Sequence, residues 1–302
     1  MKKIKSIVTG GAGFIGSNLV DRLVKEGHKI IVLDNFVSGK RSNLSHHLKK
    51  DVEIINLDIS NTKKLDKYLK DVSYVFHLAG LAEIVPSIKN PKKYFISNVL
   101  GTLNMLEAAK KAKVKKFIYA ASSSCYGSPK KIPTSETDKI DTQHPYAFTK
   151  FLGEEAVIKY AKFFKMPNIS CRFFNVYGPR LNTTGQYGAV FSNFLTQKKK
   201  KRPLTIVGNG KQTRDFIHVD DLTNAFIKLA RSNLKNKIYN LGSGKETSIN
   251  KIADIIGGKK IFIPKRPGDP NRSCANISKI KKDIKWKPRI SIIEGIDRLF
   301  QS

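Results

Sequence analysis

The chain has 302 residues, of which 40% are hydrophobic and 26% charged, a composition typical of a globular protein rather than a disordered or fibrous one. This length is enough for one large domain or two joined lobes. Three widely spaced cysteines cannot build a disulfide framework, so we expect a reducing, cytoplasmic location. No apolar run approaches the ~18 residues that cross a bilayer, and no membrane partner is predicted.

The net charge of +32 is the most unusual bulk property. Such a charge suits proteins that bind nucleic acid or anionic membranes. However, the lysines are spread along almost the whole chain, and neither an RNA-binding aromatic motif nor a zinc-ligand spacing accompanies them. We therefore predict no specific nucleic acid partner and no metal site, and we expect the positive field to attract an anionic substrate.

Short apolar segments alternate with helical patterns through the first half of the chain. Strands are predicted at Lys5–Thr9, Ile30–Leu33, Val52–Leu57, Val75–Ala79 and Phe117–Ala121, with helices at Phe14–Glu26 and Ser97–Ala112. Continuous apolar strands separated by helices are typical of a parallel sheet covered on both faces.

From about Gly178 glycine and proline become frequent and the alternation becomes irregular, which indicates a smaller lobe. The helical pattern Asp220–Arg231 and the strand Ile238–Leu241 are regular enough to rejoin the sheet domain. We predict an α/β fold, a Rossmann-type doubly wound parallel sheet with a smaller α/β substrate-binding lobe. The cofactor domain would comprise residues 1–178 and about 216–242, and the lobe about 179–215 and 243–302.

The first predicted strand runs directly into three glycines at a regular spacing, Gly10, Gly13 and Gly16. Glycines here permit a tight turn, close approach of the backbone to a diphosphate and close helix–strand packing. The helix that follows offers free N–H groups to an anion. Asp34, at the end of the next strand, can accept hydrogen bonds from an adenosine ribose and would repel a 2′-phosphate, so the pattern predicts NAD rather than NADP.

A second group of polar residues follows the strand Phe117–Ala121, whose end carries three serines in a row. Ligands of open parallel sheets bind at the carboxyl ends of the strands. Tyr146 and Lys150 are four residues apart after Pro145, which suits a helix start, so they share one helix face. A nearby ammonium and the positive nicotinamide ring both favour the phenolate and should lower the pKa of Tyr146, which predicts a tyrosine acid–base catalyst.

With these motifs in order, the chain resembles the extended short-chain dehydrogenases/reductases, and among them the NAD-dependent nucleotide-sugar epimerases, with UDP-glucose and UDP-N-acetylglucosamine 4-epimerases as models. The resemblance extends from Lys3 to about Phe300. The segments that carry it are Gly10–Gly16, Asp34–Phe36, Asp58–Ile59, His77–Gly80, Ser122–Gly127, Tyr146–Lys150, Arg172–Arg180 and Trp286–Pro288.

The resemblance implies a set of site residues. The implied NAD contacts are Gly10, Gly13, Phe14, Ile15, Gly16, Asp34, Asn35, Asp58, Ile59, Leu78, Ala79, Gly80, Asn98, Tyr146, Lys150 and Phe173. The implied catalytic residues are Tyr146 and Lys150 with Ser122, for which Ser123 and Ser124 are close competitors. The implied UDP-sugar contacts are Ser122, Ser123, Ser124, Asn175, Thr205, Val207, Arg214, Arg266, Asp269 and Ser273.

Ser273 bears on the choice of sugar. Enzymes restricted to UDP-glucose and UDP-galactose tend to carry a bulky tyrosine where Ser273 falls, and a small residue there resembles the epimerases that accept N-acetylated sugars. The physical reason is volume, because a 2-acetamido group needs room that a tyrosine ring would fill.

The resemblance implies epimerisation at C4 of a UDP-sugar through a 4-keto intermediate, and a homodimer. An alternative on the same scaffold is a UDP-glucuronate epimerase or decarboxylase. A 4,6-dehydratase is disfavoured, since Ser122–Ser124 stand where its Thr-Asp-Glu acid–base residues are expected. From a different class, a non-catalytic NAD-sensing or nucleic-acid-binding protein would account for the charge, but such relatives are expected to lose the tyrosine.

Overall fold

A computed structural model of the protein describes residues 3–47, 49–61, 64–181, 190–264 and 271–301. Among the helices of these ranges, none has the length and apolarity needed to cross a membrane. The strands are β1 Lys5–Thr9, β2 Lys29–Asp34, β3 Val52–Asn56, β4 Tyr74–His77, β5 Lys116–Ser122, β6 Asn168–Phe173, β7 Asn175–Tyr177, β8 Leu204–Val207, β9 Thr213–Arg214, β10 Phe216–His218, β11 Lys237–Leu241, β12 Thr247–Ser248 and β13 Lys260–Ile263.

The helices cover both faces of the main sheet or, in the later part of the chain, pack around β8 and β13. They are α1 Phe14–Lys25, α2 Asp66–Leu69, α3 Ile84–Lys89, α4 Pro91–Tyr94, α5 Gly101–Lys111, α6 Pro145–Phe163, α7 Val190–Lys199, α8 Val219–Arg231, α9 Ile249–Ile256, α10 Ser278–Ile284 and α11 Ile292–Gln301. A π-helical stretch, Phe95–Leu100, joins α4 to α5, and 3₁₀ turns occupy Arg41–Leu44 and Ser123–Tyr126.

The main sheet has seven strands in the order β11-β6-β5-β4-β1-β2-β3. Every neighbouring pair is parallel. The order reverses direction between β1 and β4, which is the switch point where doubly wound sheets open a crevice for ligands. This architecture confirms the predicted Rossmann-type α/β fold.

Each face of the sheet is covered by its own apolar core, since successive strand residues point to opposite faces. Val8 of β1 packs with residues of α1 and α8, such as Leu19 and Phe226. Its neighbour Ile7 packs on the other face with residues of α2, α5 and α6, such as Met105. The near-continuous apolar strands that indicated a parallel sheet are therefore buried on both sides.

The later part of the chain forms a third core around two short parallel strands, β8 and β13. Phe191 and Phe194 of α7 pack there against Ile206 of β8 and Ile252 of α9. The strand β11 instead pairs with β6 at the edge of the main sheet. The exact lobe boundaries given above remain a prediction.

Two elements differ from their predictions. The helix predicted over Ser97–Ala112 begins earlier, as α4, and passes through the π-helical stretch before α5. The strand β6 escaped prediction because Asn168, Ser170 and Arg172 interrupt its apolar pattern, although all three are buried. Burial of polar residues in a central strand requires partners on neighbouring elements.

Those partners come from α6. Glu154 accepts hydrogen bonds from Ser170 Oγ (2.7 Å) and from Arg172 Nη2 (2.6 Å) and Nε (3.0 Å). Arg172 Nη1 also donates to the hydroxyl of Tyr126 (2.7 Å) and the carbonyl of Glu136 (3.2 Å). The side chains of Arg172 and Glu154 are only 3% and 1% exposed, so the two charges neutralise each other inside the protein.

We predict that Glu154→Gln lowers the free energy of unfolding by about 3–5 kcal/mol, because it leaves Arg172 buried without a counter-charge. The double variant Arg172→Met/Glu154→Leu should recover a large part of this loss, since it removes both charges. Urea denaturation measures both values. As a control, Glu294→Gln breaks an exposed i,i+4 pair with Arg298 and should cost less than about 1 kcal/mol. Equal decreases in the free energy of unfolding for Glu154→Gln and Glu294→Gln would contradict the prediction.

Candidate active site

The glycine turn between β1 and α1 is packed too tightly for side chains. A methyl group at Gly16 would overlap the carbonyl oxygen of Gly10, and one at Gly10 would lie 2.8 Å from the backbone nitrogen of Ala79. Gly10 also has φ of +67°, which favours glycine. No side chain caps the N-terminus of α1, so this twelve-residue helix presents its positive end to the turn, as a dinucleotide diphosphate requires.

The carboxylate of Asp34 lies against this turn. Its Oδ2 accepts a hydrogen bond from the N–H of Ala12 (2.9 Å), and its Oδ1 accepts one from the N–H of Phe36 (2.8 Å). A methyl group at Gly39 would lie 2.9 Å from both carboxylate oxygens. The carboxylate is therefore held in place at the end of β2, where an adenosine ribose would meet it.

Farther along the same edge, Asp58 and Asn35 lie together. Asn35 Nδ2 donates to Asp58 Oδ2 (3.1 Å), and Ser60 donates to Asp58 Oδ1 from its hydroxyl (2.6 Å) and its N–H (2.9 Å). Burial acts to raise the pKa of Asp58, but these hydrogen bonds outweigh it and lower that pKa. Ile59 is buried and contacts the start of α5 at Gly101.

The loop after β4 is fixed from two sides. The hydroxyl of Thr9 accepts from the N–H groups of Leu78 (3.2 Å) and Ala79 (3.1 Å). Asn98 accepts from the N–H of Leu81 (2.7 Å) and donates to its carbonyl (3.0 Å) and to the hydroxyl of Thr149 (3.0 Å). Asn98 lies in the π-helical stretch, and such irregular turns are frequent at functional sites. It ties the β4 loop to α6.

Three hydroxyls meet where β5 ends. Ser122 Oγ lies 2.8 Å from Ser124 Oγ, and both hydroxyls are near enough to Tyr146 to act on its pKa, which they lower. Ser123 was predicted as a catalytic alternative, but the structure groups Ser124 rather than Ser123 with Ser122 and Tyr146. The 3₁₀ turn explains this, because it brings Ser124 back over Ser122, whose Oγ accepts from the Ser124 N–H.

Lys150 is buried one helical turn beyond Tyr146. Its Nζ lies 4.4 Å from the centroid of the Tyr119 ring, and a methyl group at Gly80 would lie 3.8 Å from that Nζ. Lys150 therefore stands between β5 and the β4 loop, close to the glycine turn. Burial lowers the pKa of Lys150 to about 7, although the charge of Glu154 opposes the shift.

In the protein by itself the pKa of Tyr146 is not lowered; the predicted lowering included the charge of a nicotinamide ring. Burial raises that pKa and outweighs the hydrogen bonds from Ser122 and Ser124, which act to lower it. A buried phenolate is disfavoured when few positive charges surround it. Lowering the pKa of Tyr146 therefore needs more positive charge than Lys150 supplies in the protein by itself.

Asn175, which is predicted to contact the substrate, lies beside Asp215. The backbone N–H of Asn175 donates to the carbonyl of Asp215 (3.0 Å), and its side chain reaches the same oxygen (3.3 Å). The buried Asp215 carboxylate accepts from the N–H groups of Ser243 (2.5 Å), Gly244 (2.9 Å) and Ala275 (3.0 Å). Burial raises the pKa of Asp215 in spite of these bonds.

Three more of the predicted substrate residues, Thr205, Val207 and Arg214, lie on β8 and β9 in the later part of the chain. Thr205 Oγ1 accepts from Gln197 (2.8 Å), and Thr205 and Val207 face away from the buried Leu204 and Ile206 of the same strand. Arg214 Nη1 donates to the carbonyl of Thr213 (2.8 Å). Arg266 and Asp269 lie outside the described residues.

Ser273 lies in a segment that is anchored on both sides. Its neighbour Arg272 pairs with Glu246, and Ala275, two residues on, donates to Asp215 as described above. Phe173 lies beside Ser122 in the register of β5 and β6. The structure therefore places Ser273 in the segment fixed to Asp215, whose carbonyl Asn175 contacts.

Two supporting residues escaped assignment from the sequence. Glu154 is four residues after Lys150, and this helical spacing was visible, but an acid at that position indicates nothing without its partner on β6. From the sequence, Thr9 is predicted only as the last residue of a strand. The residues next to it in the sequence do not indicate that its hydroxyl binds the loop after β4.

The fold and this constellation define an extended short-chain dehydrogenase/reductase. Residues 6–242 match the model of the NAD dependent epimerase/dehydratase family, and the chain belongs to this family. Its cofactor is NAD, which fits the uncapped helix end, the glycine turn without room for side chains and the fixed carboxylate of Asp34.

Similar proteins share the whole length of the chain. A Methanocaldococcus jannaschii protein, provisionally named UDP-glucose 4-epimerase, is 38% identical over 97% of this chain and 96% of its own. The structure of UDP-N-acetylglucosamine 4-epimerase from Methanobrevibacter ruminantium in complex with UDP-N-acetylmuramic acid is 33% identical, with a TM-score of 0.93 over 100% of this chain and 99% of that one. UDP-glucuronic acid 4-epimerase from Bacillus cereus, in complex with UDP-glucuronic acid and NAD, is 32% identical, with a TM-score of 0.91 over 99% and 98%.

Proposed function

We propose that this protein inverts the configuration at C4 of a UDP-sugar through a 4-keto intermediate. The observation that carries the proposal is the meeting of the Ser122, Ser124 and Tyr146 hydroxyls beside Lys150, at the carboxyl edge of a sheet whose glycine turn suits NAD. The three similar proteins carry names that specify 4-epimerisation of UDP-sugars, although the sugars differ. This supports both the reaction and the nucleotide.

The chain offers a separate place for each part of the cofactor. The glycine turn and the N-terminus of α1 would hold the diphosphate of NAD, Asp34 the adenosine ribose and Lys150 the nicotinamide ribose. The chemistry expected of the bound cofactor is reversible hydride transfer.

Tyr146 would take the proton of the sugar 4-hydroxyl and later return a proton to the 4-keto oxygen. Because the pKa of Tyr146 is raised in the protein by itself, loss of its proton would require nearby positive charge, which the nicotinamide ring of NAD would add. Lys150, whose pKa is about 7, supplies part of that charge. The Ser122 and Ser124 hydroxyls would hold the reacting oxygen within reach of Tyr146.

We predict that Tyr146→Phe lowers turnover by at least about 100-fold, because it removes the acid–base group. The assay supplies UDP-glucose, UDP-galactose, their N-acetylated counterparts and UDP-glucuronate, and identifies products by NMR. Tyr160→Phe is a matched control, since Tyr160 lies on the same helix but donates to Glu107 instead (2.6 Å). Near-normal turnover by Tyr146→Phe would refute the mechanism.

The same sugar panel separates the alternatives. A change of configuration at C4 in UDP-glucuronate would identify a glucuronate epimerase, the activity in the name of the Bacillus cereus protein. Release of carbon dioxide from that substrate would identify a decarboxylase. Salt-sensitive DNA binding without any turnover would favour the non-catalytic reading.

We infer further that the site accepts N-acetylated sugars, because Ser273 leaves room that a larger side chain would fill. Its segment is held to Asp215 through Ala275, on the same side of the protein as Asn175. The proposal also agrees with the N-acetylglucosamine in the name of the Methanobrevibacter enzyme.

We predict that Ser273→Tyr lowers kcat/KM for UDP-N-acetylglucosamine by at least about 10-fold while leaving that for UDP-glucose within about 3-fold. The ring would occupy the volume that the acetamido group needs. Steady-state kinetics on both sugars measures the ratio, with Ser273→Ala as the control for loss of the hydroxyl. Equal effects of Ser273→Tyr on the two sugars would contradict the proposal.

We also propose a homodimer. Six apolar side chains that are more than a third exposed lie on neighbouring elements between α3 and α6: Ile84, Ile88, Phe95, Ile96, Leu100 and Phe148. The rings of Phe95 and Phe148 are in edge-to-face contact at 5.8 Å, so the patch is continuous across the π-helical stretch and α6. A patch of this kind marks an interaction surface.

We predict that Leu100→Asp converts a dimer into a monomer, because the charge would be buried in the interface. Sedimentation velocity measures the mass. Ile293→Asp is the matched control, since Ile293 is 53% exposed on α11, away from the patch, and should leave the dimer intact. A wild-type protein that sediments as a monomer would contradict the proposal.

A further inference from the structure

Three side chains that commonly bind metal ions meet on the outer side of α1, away from the proposed catalytic residues. His46 Nε2 lies 2.9 Å and His47 Nε2 2.7 Å from the same carboxylate oxygen, Oδ1 of Asp21. All of their ligand atoms lie within 4.8 Å of one another. In the part of the chain that the structure describes, no other group of three or more histidine, cysteine or acidic side chains has such spacing.

We propose that Asp21, His46 and His47 form a binding site for a divalent transition metal ion, with Zn²⁺ as the best fit. Two imidazoles and one carboxylate are a ligand set that zinc uses in proteins, with water in a fourth position. The side chain of His46 is 54% exposed, which leaves room for that water.

The present distances need only a small adjustment. Ligands at about 2.0–2.1 Å from a tetrahedral zinc ion are separated from each other by about 3.3 Å. The two histidine nitrogens therefore have to move away from Asp21 by about half an ångström. Rotation of the exposed His46 side chain provides its share of this movement, whereas the His47 side chain is only 9% exposed and has to shift together with its backbone segment. Each imidazole then binds through Nε2 in its neutral form, with its proton on Nδ1.

Arg180 positions the carboxylate. It donates through Nη2 to the other oxygen of Asp21, Oδ2, and through Nη1 to the carbonyl of Asn43 (2.9 Å). Oδ1 of Asp21 is therefore directed to the histidines. Arg180 would act here like the hydrogen-bond partners that orient metal ligands in other proteins. Burial acts to raise the pKa of Asp21, but Arg180 and the two histidines outweigh it and lower that pKa. The positive charge of Arg180 also opposes a cation, so we expect micromolar rather than nanomolar affinity.

A metal ion at this site would stabilise the segment 40–47, which contacts the glycine turn. The side chain of Asn43 and the N–H of Lys40 both donate to the carbonyl of Ala12, at 2.8 and 3.0 Å. A metal ion bound to His46 and His47 would hold the end of this segment to α1. Sequence spacing gave no sign of it, because Asp21 lies 25 residues before His46.

The test is calorimetric titration of Zn²⁺ into untagged protein that has been freed of metal by a chelator. We expect one saturable site per chain and a rise in Tm of roughly 3–6 °C at saturating Zn²⁺. His46→Gln and His47→Gln should each weaken binding at least about 10-fold, and the double variant should abolish it. Ser45→Ala, a neighbouring change outside the ligand set, should bind as wild type.

A second probe reports the ligands directly. With Cu²⁺ in place of zinc, electron paramagnetic resonance should show coupling to two imidazole nitrogens, and His46→Gln should reduce this to one. The proposal is overturned if wild type shows no saturable binding up to roughly 1 mM Zn²⁺. It is also overturned if the double histidine variant still binds normally, since the metal would then lie elsewhere in the protein.

Discussion

The buried ion pair between Arg172 and Glu154 is the contact on which the geometry of the candidate site depends. It joins β6 to α6 and, through Tyr126, reaches Asn240 of β11, whose Oδ1 accepts from the tyrosine hydroxyl (2.7 Å). Charges this deep in a protein are tolerated only when they are paired and hydrogen-bonded. Since Glu154 is four residues after Lys150 and eight after Tyr146, fixing Glu154 fixes the rotation of the whole helix face that carries both.

The same pair separates two electrostatic environments. Arg172 neutralises Glu154, so the carboxylate opposes but does not cancel the effect of burial on Lys150. Lys150 is thereby left near the point where its charge changes at neutral pH. Burial shifts the pKa of Tyr146 in the opposite direction and raises it. Shifted pKa values on one buried helix face are typical of functional sites.

Much of the fold could be predicted because its signals are local. The strand, glycines and helix around Gly10–Gly16 are consecutive, and Tyr146 and Lys150 share one helical turn. The strand β6 could not be predicted, since Arg172 looks unsuited to a core until Glu154 is known to lie beside it. The π-helical turn at Asn98 could not be predicted either, because the spacing of apolar residues in the sequence does not distinguish it from an ordinary helix. Ser124 rather than Ser123 lies near Tyr146 because of the 3₁₀ turn Ser123–Tyr126. The sequence does not show which serine the turn selects, because the three residues are identical.

The carboxylate of Asp215 has a consequence for how the protein becomes functional during synthesis. Its hydrogen-bond donors follow it by 28, 29 and 60 residues along the chain. A nascent chain that has already completed β1 to β6 and the glycine turn still lacks Ala275, and with it the anchor for the Ser273 segment. The glycine turn is therefore synthesised long before the Ser273 segment has its anchor, so the proposed cofactor region and the proposed sugar region depend on parts of the chain that are far apart in sequence.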